Sequence, residues 1–561
     1  MRQVKRLTRV NLPQLSMLII CLAVFTVVMI FPLFALFSKA FLSKAGEFIG
    51  FKNYIEYFST PSLSASVFNT IDISLWATMF SVTFGFLYAY ALTRTRIKGK
   101  SFFKYAALIP IFIPSIVHAL GLVYILGKQG ILTRLGVLSL ELYGRLGIIL
   151  SEIIFTFPQS FLMFYIALEF ADGRLYEAAD SMGVSHFDKV RRITLPEIKF
   201  TVINVFFVCF TLAFTDFGAP KVIGGNFNVL ATDIYKQVAG QFNMNMGAVV
   251  GTLLLIPAVL SFIIDRLVNS QNAGTLSAKA TKLIIGKNLV RDVFFFIFCS
   301  VIAACLLFLV VSLFVGALSS YYPYDMRITF KNFVFNESAG GIGSFINSVK
   351  MSALSAVFGA AFVFVYAYML EKTGGYGLLR RYGELLSLLP LAVPGMVIGL
   401  SYIFFFNNQA NPLHFIYGGV AILVLANILH YFSVPFLTAS ACLKKLDKEY
   451  ESVGDSMNIP RLKIFYRVSV VLSLPAILEI FMYYFVNSMV TVSALVFLYT
   501  AQFRIAAISI THMEEAGNTS QAAAMSLLIL LVNILVRIFY ELSIIIVKYR
   551  TNKKEHAHET N

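Results

Sequence analysis

The chain has 561 residues, of which 58% are hydrophobic and only 13% are charged, and its mean hydropathy is +0.78. Soluble domains carry about 25% charged residues, so this composition excludes a soluble protein and indicates an integral membrane protein. The formal net charge of +16 does not indicate nucleic-acid binding, because the basic residues stand in short clusters at the ends of apolar runs, where they act as topology determinants.

Apolar segments of roughly 20 residues are long enough to cross a bilayer, and the lack of water there forces them to be helices. The first segment follows a basic N-terminus but is too long for a signal peptide and lacks a small-residue cleavage site, so it is expected to be retained. The segments lie at 15–41, 66–93, 104–127, 146–170, 199–222, 246–269, 292–318, 346–370, 383–406, 416–442, 475–499 and 520–547. The sequence therefore predicts an all-α integral membrane protein with about twelve transmembrane helices.

Lysine and arginine are concentrated in alternate connections between these segments. The clusters span 94–104, 189–192, 279–291, 372–381, 444–448 and the tail 548–554. Because positive residues are retained on the cytoplasmic side, this alternation predicts that both termini are cytoplasmic.

An internal duplication divides the chain. Tyr88-Ala89-Tyr90 returns 278 residues later as Tyr366-Ala367-Tyr368, and Pro110 and Pro114 return 280 residues later as Pro390 and Pro394. Six segments separate the copies, so the sequence predicts two parallel six-helix repeats. The predicted regions are a first half 1–270, a linker 271–291, a second half 292–549 and a polar tail 550–561. The two tyrosine pairs are predicted to lie at the membrane–water interface.

A charged stretch between the fourth and fifth segments carries the pattern E-A-A-x-x-x-G, nine residues, I-x-L-P. Its defined positions are Glu177, Ala178, Ala179, Gly183, Ile193, Leu195 and Pro196. The alanines favour a short helix, and Gly183 can end it with a positive φ. Ser185 is suited to cap a second short helix. The pattern predicts a compact helix–turn–helix outside the bilayer at 171–197.

This pattern resembles the cytoplasmic coupling loop of the membrane subunits of bacterial ABC importers. The resemblance implies a permease in the bacterial inner membrane, with a homodimeric ATPase docked beneath it and an extracytoplasmic solute-binding protein above it. A second loop at 444–473 repeats the first in altered form, with Asp180-Ser181-Met182 returning as 455–457. There the candidate coupling residues are Glu451, Asp455, Ser456, Asn458 and Val468, and the Glu-Ala-Ala triplet aligns with 452–454, one place after Glu451. The shifted Glu451 is one way in which the altered loop could compensate.

The chain is predicted not to be an enzyme. Gly99-Lys100-Ser101 resembles the end of a phosphate-binding loop, but Arg94 stands where an earlier glycine is required. ATP and Mg²⁺ are therefore expected on the partner ATPase, with no cofactor in this chain. The five cysteines and seven histidines show no disulfide framework or metal motif.

Charged residues inside membrane segments are costly and usually face a pathway or a partner. The candidates are Asp72, Glu152 and Asp216, although the first would also suit the interface and the second a helix contact. Asp216 stands beside Gly and Pro residues that would interrupt its helix, so it is the preferred pathway residue. The candidate translocation path consists of Asp216, Thr215, Thr491 and Ser493.

The cargo is assigned from short segments. Two-half fusions of this length resemble ferric-iron, thiamine and 2-aminoethylphosphonate importers, and the segments 215–225, 229–237 and 490–499 look most like the phosphonate branch. The sequence therefore favours 2-aminoethylphosphonate or a related phosphonate, with ferric iron as the alternative. A secondary transporter with two six-helix repeats is the alternative from another class, which the coupling pattern disfavours.

Overall fold

The computed structural model describes residues 12–138, 140–272, 283, 285–372, 377–447 and 449–559. Only the backbone is described at 12, 186, 265–266, 268–272, 455, 548 and 550–559. The basic N-terminus, most of the predicted linker and Lys448 lie outside the described residues, as does the side chain of Asp455.

Helices dominate the chain, as expected for segments that must satisfy their own backbone in lipid. Those of residues 12–272 are α1 (Leu12–Ala40), α2 (Lys52–Ser59), α3 (Pro61–Arg94), α4 (Lys100–Leu108), α5 (Ser115–Leu126), α6 (Ile131–Arg134), α7 (Arg145–Glu169), α8 (Gly173–Ser181), α9 (His186–Lys189), α10 (Leu195–Glu197), α11 (Lys199–Thr215), α12 (Gly218–Ile223), α13 (Leu230–Tyr235) and α14 (Met244–Asn272). Single π-helical turns cover Val190–Thr194 and Lys236–Gly240.

The remaining residues continue this pattern, with one two-stranded hairpin. The helices are α15 (Leu289–Leu318), α16 (Gly341–Lys372), α17 (Gly377–Leu388), α18 (Gly395–Phe406), α19 (Val420–His430), α20 (Ser433–Lys445), α21 (Glu449–Ser456), α22 (Arg461–Ile464), α23 (Val470–Leu472), α24 (Leu474–Val490), α25 (Ala506–Glu515) and α26 (Thr519–Glu559). Strands β1 (Ser319–Tyr321) and β2 (Asp325–Ile328) pair antiparallel, and a π-helical turn covers Phe465–Ser469.

Within the described residues, eight helices are long and apolar enough to cross a membrane, and four bent helix pairs bring the number to 12 if each pair is one span. Each of the predicted segments overlaps one of these, so the all-α membrane fold is confirmed. The four pairs bend by 59° to 111°. Two of these bends fall within predicted segments, so the expectation of one continuous helix is wrong for 383–406 and 416–442. The other two bends, at 198 and 473, lie just before the predicted segments 199–222 and 475–499. The largest bend lies beside Pro390 and Pro394, where proline removes a backbone donor and cannot continue the helix.

The chain folds into two compact units, named here the 39–339 unit, which also contains 507–527, and the 340–506 unit, which also contains 1–38 and 528–561. In the 39–339 unit, α15 packs against α3, α4 and α5. In the 340–506 unit, α1 contributes Phe25, whose ring lies 5.7 Å from Tyr366 and 4.7 Å from Phe432. The compact units and the predicted sequence halves are therefore different divisions of the chain.

Equivalent residues of the two repeats make equivalent hydrogen bonds. Thr70 accepts from the Leu230 amide at 2.9 Å, and Ser348 accepts from the Ala506 amide at 2.7 Å. The amide of Asn53 donates to the carbonyls of residues 40 and 42, and that of Asn332 donates to those of residues 317 and 319. Each asparagine thereby satisfies carbonyls left open where a long helix ends.

The tyrosines of the repeated Tyr-Ala-Tyr sequence are core residues, which corrects their predicted place at the interface. Tyr88 and Tyr366 are fully buried. Their hydroxyls donate to the carbonyls of Phe103 at 2.9 Å and Gly383 at 2.8 Å. A buried tyrosine is stable where its hydroxyl finds such a partner, so the rings can pack inside each unit.

Candidate functional site

The first predicted loop is the helix–turn–helix formed by α8 and α9. Asp172 begins α8 by accepting a hydrogen bond from the Arg174 amide at 3.1 Å. Gly183 ends it with a φ of +69°, and the Val184 amide donates back to the Ala179 carbonyl at 3.0 Å. This closure is a Schellman-type turn, which requires a residue that tolerates positive φ.

Ser185 begins α9, as the sequence predicts, and its hydroxyl accepts from the Asp188 amide at 3.1 Å. The helix then passes through the π-helical turn into α10. At Ile198 the chain bends by 73° into α11, and the helices on the two sides of the bend are together apolar enough to form one membrane span. The loop is therefore joined without a flexible connection to a helix that enters the membrane.

Side-chain contacts fix this loop to its neighbours. The Tyr176 hydroxyl lies 2.8 Å from Thr194 Oγ1, and the Arg94 guanidinium at the end of α3 stacks over the Tyr176 ring at 4.9 Å. Lys189 forms an ion pair with Asp180 across the turn. The α8–α9 loop is thus tied to the end of one membrane helix and to the start of another.

Some residues of the motif are buried against the neighbouring helices, and the others are exposed. Ala179 is buried and Ile193 half-buried, whereas the remaining five positions, Glu177, Ala178, Gly183, Leu195 and Pro196, are exposed. Three apolar side chains are exposed beside them: Leu175, Met182 at 78% and Phe187 at 75%. Exposed apolar side chains beside polar residues are suited to contact another protein.

The second predicted loop folds in the same way from different residues. Asn458 takes the place of Gly183 with a φ of +52°, and the Ile459 amide donates to the Gly454 carbonyl at 2.8 Å. The Ser456 hydroxyl donates to the Ser452 carbonyl at 2.9 Å, as Ser181 does to Glu177 at 3.0 Å. Val468 is half-buried, and the exposed apolar residues include Tyr450, Met457 and Leu462, at the positions equivalent to Leu175, Met182 and Phe187.

Glu451 does not take the place of Glu177 in the second loop. When the two loops are aligned on their shared Asp-Ser-Met sequence, Glu451 matches Tyr176, and the position of Glu177 is occupied by Ser452. The Glu451 carboxylate points inward and pairs with Lys372 Nζ at 2.9 Å. The exposed acidic position of the first loop therefore has no carboxylate in the second.

The predicted pathway residues lie at the C-terminal ends of α11 and α24. Asp216 Oδ1 accepts from Ser115 Oγ at 2.6 Å, and its Oδ2 accepts from the Ala219 amide at 2.9 Å. The carboxyl of Glu152, on α7, is fully buried and close enough to Asp216 for their charges to interact, although neither of its oxygens makes a hydrogen bond within the described residues. Sequence reasoning treated these two acidic residues separately, and the structure brings them together.

The other candidates of this kind make local contacts. Thr215 donates to the Thr211 carbonyl at 2.8 Å, and Thr491 Oγ1 lies 2.5 Å from the Tyr431 hydroxyl. Ser493 packs so closely on Gly395 that a Cβ there would lie 2.4 Å from its hydroxyl. Asp72 pairs at 2.9 Å with Arg145, and both side chains are exposed, which fits the interfacial alternative.

Comparison with known proteins gives a consistent match. The family model for the binding-protein-dependent transport system inner membrane component matches residues 81–327 and 365–544. A ferric transport system permease protein of Actinobacillus pleuropneumoniae is 28% identical over 532 residues, covering 91% of this chain and 75% of that protein. A putative ferric transport system permease protein of Haemophilus influenzae is 28% identical over 507 residues, covering 87% and 78%.

Two further matches cover about half of the chain. A probable sulfate transport system permease protein of Prototheca wickerhamii is 29% identical over 237 residues, covering 41% of this chain and 90% of that protein. A chain from the crystal structure of a bacterial alginate ABC transporter, in complex with an alginate pentasaccharide-bound periplasmic protein, is 20% identical, with a TM-score of 0.40. It covers 47% of this chain and 94% of that chain.

Proposed function

The chain belongs to the family of inner membrane components of binding-protein-dependent transport systems, and we propose that the cargo it carries across the bacterial inner membrane is ferric iron. It is a multi-pass permease of an ABC importer with two fused halves, and it is not itself an enzyme. The family membership also argues against the alternative of a secondary transporter, because these importers are driven by ATP hydrolysis on a separate subunit.

Relatives that span both halves support iron as the cargo. The two ferric permeases align over 91% and 87% of this chain, whereas the sulfate permease aligns over 41%. The likeness to phosphonate permeases is confined to the segments 215–225, 229–237 and 490–499. A similarity that extends over both halves carries more weight than short segments, so ferric iron replaces 2-aminoethylphosphonate as the preferred cargo.

Uptake in cells tests this choice. Cells with the gene deleted, and the same cells complemented with the intact gene, are given radiolabelled ferric citrate or labelled 2-aminoethylphosphonate. We expect iron uptake to be lost on deletion and restored by the intact gene, with phosphonate uptake unchanged. The reverse pattern would overturn the iron assignment and restore the phosphonate reading.

We further propose that the two loops dock on a homodimeric ATPase, one loop to each subunit, and that this ATPase binds the ATP and Mg²⁺. The matched apolar residues Leu175, Met182 and Phe187 in one loop, and Tyr450, Met457 and Leu462 in the other, support this proposal. Repetition of one exposed pattern suits two copies of one partner. Closure of the ATPase pair would then displace both loops together.

The remaining assignments are proposals of the same kind. An extracytoplasmic binding protein delivers the cargo, and both termini face the cytoplasm because the lysine and arginine clusters alternate. Asp216, with Thr215, Thr491 and Ser493, is proposed to line the path. Asp216 is supported by its half-buried position beside Glu152 at a helix break. Asp216→Asn should lower uptake while leaving the loops free to bind the ATPase.

A further inference from the structure

Each of the two loops is fastened to the end of a long membrane helix, but by different chemistry. In the first loop the Arg94 guanidinium at the end of α3 stacks over the Tyr176 ring at 4.9 Å. In the second, Lys372 at the end of α16 pairs with Glu451 at 2.9 Å. The residues correspond when the two repeats are aligned on their Tyr-Ala-Tyr and Asp-Ser-Met sequences. A cation on the membrane helix is kept, and its partner on the loop changes from an aromatic ring to a carboxylate.

The Lys372–Glu451 pair is shielded from water, with side chains 8% and 15% exposed. The neighbouring carboxylate of Glu371 is engaged elsewhere, by Arg380 at 2.8 Å and Lys444 at 3.2 Å. Removing one member of a buried ion pair leaves the other charge unpaired, which is strongly unfavourable. Glu451 therefore holds the loop against α16 through Lys372.

We propose that Glu451 is a positioning residue that ties the second loop to α16, and that it is not a contact for the ATPase. The exposed acidic contact is then supplied by Glu177 of the first loop, because its counterpart is Ser452. The proposal rests on the proposed docking of both loops on an ATPase. It assigns the two loops the same attachment to the membrane helices but different surfaces toward the ATPase.

The attachment matters for the transfer of motion. Helix α16 runs from Gly341 to Lys372, which is long enough to cross the membrane. An α-helix behaves as a stiff rod over this length, so a loop fixed to its end moves it as a whole. A loop that is released at this point would still bind the ATPase but would move α16 less.

The test uses the full importer in liposomes, with its ATPase and loaded binding protein, and measures cargo transported per ATP hydrolysed. Glu451→Gln has the same shape but no charge, and we expect it to lower this ratio about tenfold or more. Binding of the ATPase should remain within about twofold, since the exposed face is unchanged. Glu449→Gln removes an exposed charge from the same helix and should leave both quantities unchanged.

A transplanted pair provides the rescue. Lys372→Arg combined with Glu451→Tyr recreates the Arg94–Tyr176 contact, and Ser469 already stands where Thr194 supports the tyrosine hydroxyl. We expect this double variant to transport nearly as much cargo per ATP hydrolysed as the unaltered chain does. The amount of each variant in the membrane is measured in parallel, and if Glu451→Gln is not inserted, the inserted double variant decides the question.

The outcomes separate this inference from the proposed function. A normal transport ratio in Glu451→Gln, or an inserted double variant without recovery, would overturn the positioning role. Loss of ATPase binding in Glu451→Gln would also overturn it, because the residue would then be a contact. Failure of the unaltered chain to bind any ATPase would instead refute the proposed docking itself.

Discussion

The turn at Gly183 permits a graded test of the first loop. Its φ of +69° lies in the left-handed region, and its amide donates to the Asp180 carbonyl at 3.0 Å. A Cβ at this position would meet nothing within 4 Å. Substitutions here therefore change the backbone energy of the turn without disturbing any packing.

The free-energy cost of each substitution at Gly183 follows from the backbone conformation alone. Alanine in the left-handed region costs about 1–2 kcal/mol, which is about a five- to thirtyfold shift toward the unturned loop. Asparagine visits this region more readily, and Asn458 adopts it in the second loop with a φ of +52°. Proline is fixed near a φ of about −65° and has no amide proton, so the turn cannot form.

Transport by Gly183→Asn, Gly183→Ala and Gly183→Pro is measured as uptake in cells that contain equal amounts of inserted protein. We expect uptake close to that of the unaltered chain for asparagine, reduced for alanine and absent for proline. Asn458→Gly serves as the mirror control and should be neutral. Normal uptake by Gly183→Pro would refute the coupling role of the loop, and a defect in Gly183→Asn equal to that of alanine would refute the backbone argument.

Further predictions concern the motif carboxylate, a close helix contact and a buried acid. Glu177→Ala should weaken ATPase binding by about tenfold or more, because a hydrogen bond to a charged group contributes this much. Ser452→Ala should leave binding unchanged, and equal effects of the two substitutions in a binding assay would contradict the prediction. Gly218→Ser should reduce uptake, because a Cβ there would lie 2.4 Å from Ser115 Oγ and 2.7 Å from the Ile116 backbone nitrogen; normal uptake at equal amounts of inserted protein would contradict this. Burial raises the pKa of Asp233 to about 6, against the opposing effects of Ser66 and Lys236. Stability from this group is therefore full below about pH 4 and lost as the pH rises through about 6, by up to about 3 kcal/mol. Asp233→Asn should raise Tm at pH 7.5 but not at pH 4, and an unchanged Tm at both values would contradict the assignment.

The local features of the loops could be predicted from the sequence because they depend on neighbouring residues. Glycine favours positive φ and serine favours a helix start, so Gly183 and Ser185 could be placed without any tertiary information. The repeated Asp-Ser-Met sequence also predicted that Asn458 stands at the equivalent turn. The structure places all three residues as expected.

The features that sequence reasoning missed depend on distant contacts. Hydropathy measures how apolar a segment is but contains no information about bending, so the bent pairs within 383–406 and 416–442 were read as continuous helices. Tyr88 and Tyr366 were assigned to the interface because their carbonyl partners lie 15 and 17 residues away. The role of Glu451 likewise depends on Lys372, which lies on a different membrane helix far earlier in the sequence. The repeated Phe-Lys-Asn before Tyr54 and Phe333 was a usable signal for Asn53 and Asn332.

The two loops have the same backbone turn, but equivalent contacts in them are made by different pairs of residues. The differences are Gly183 against Asn458 at the turn, Arg94–Tyr176 against Lys372–Glu451 at the membrane helix, and Lys189 against Ile464 at the end of the second short helix. Gly454 leaves room for the apolar side chain of Ile464. Independent drift would damage one contact at a time and alter the loop. Compensated change instead preserves the shape that each loop presents, which agrees with the proposal that the loops dock on two identical ATPase subunits. The acidic position has no such replacement, because Ser452 stands in the second loop where Glu177 stands in the first. The turn and the attachment to a membrane helix are therefore kept in both loops, whereas the exposed motif carboxylate is present only in the first.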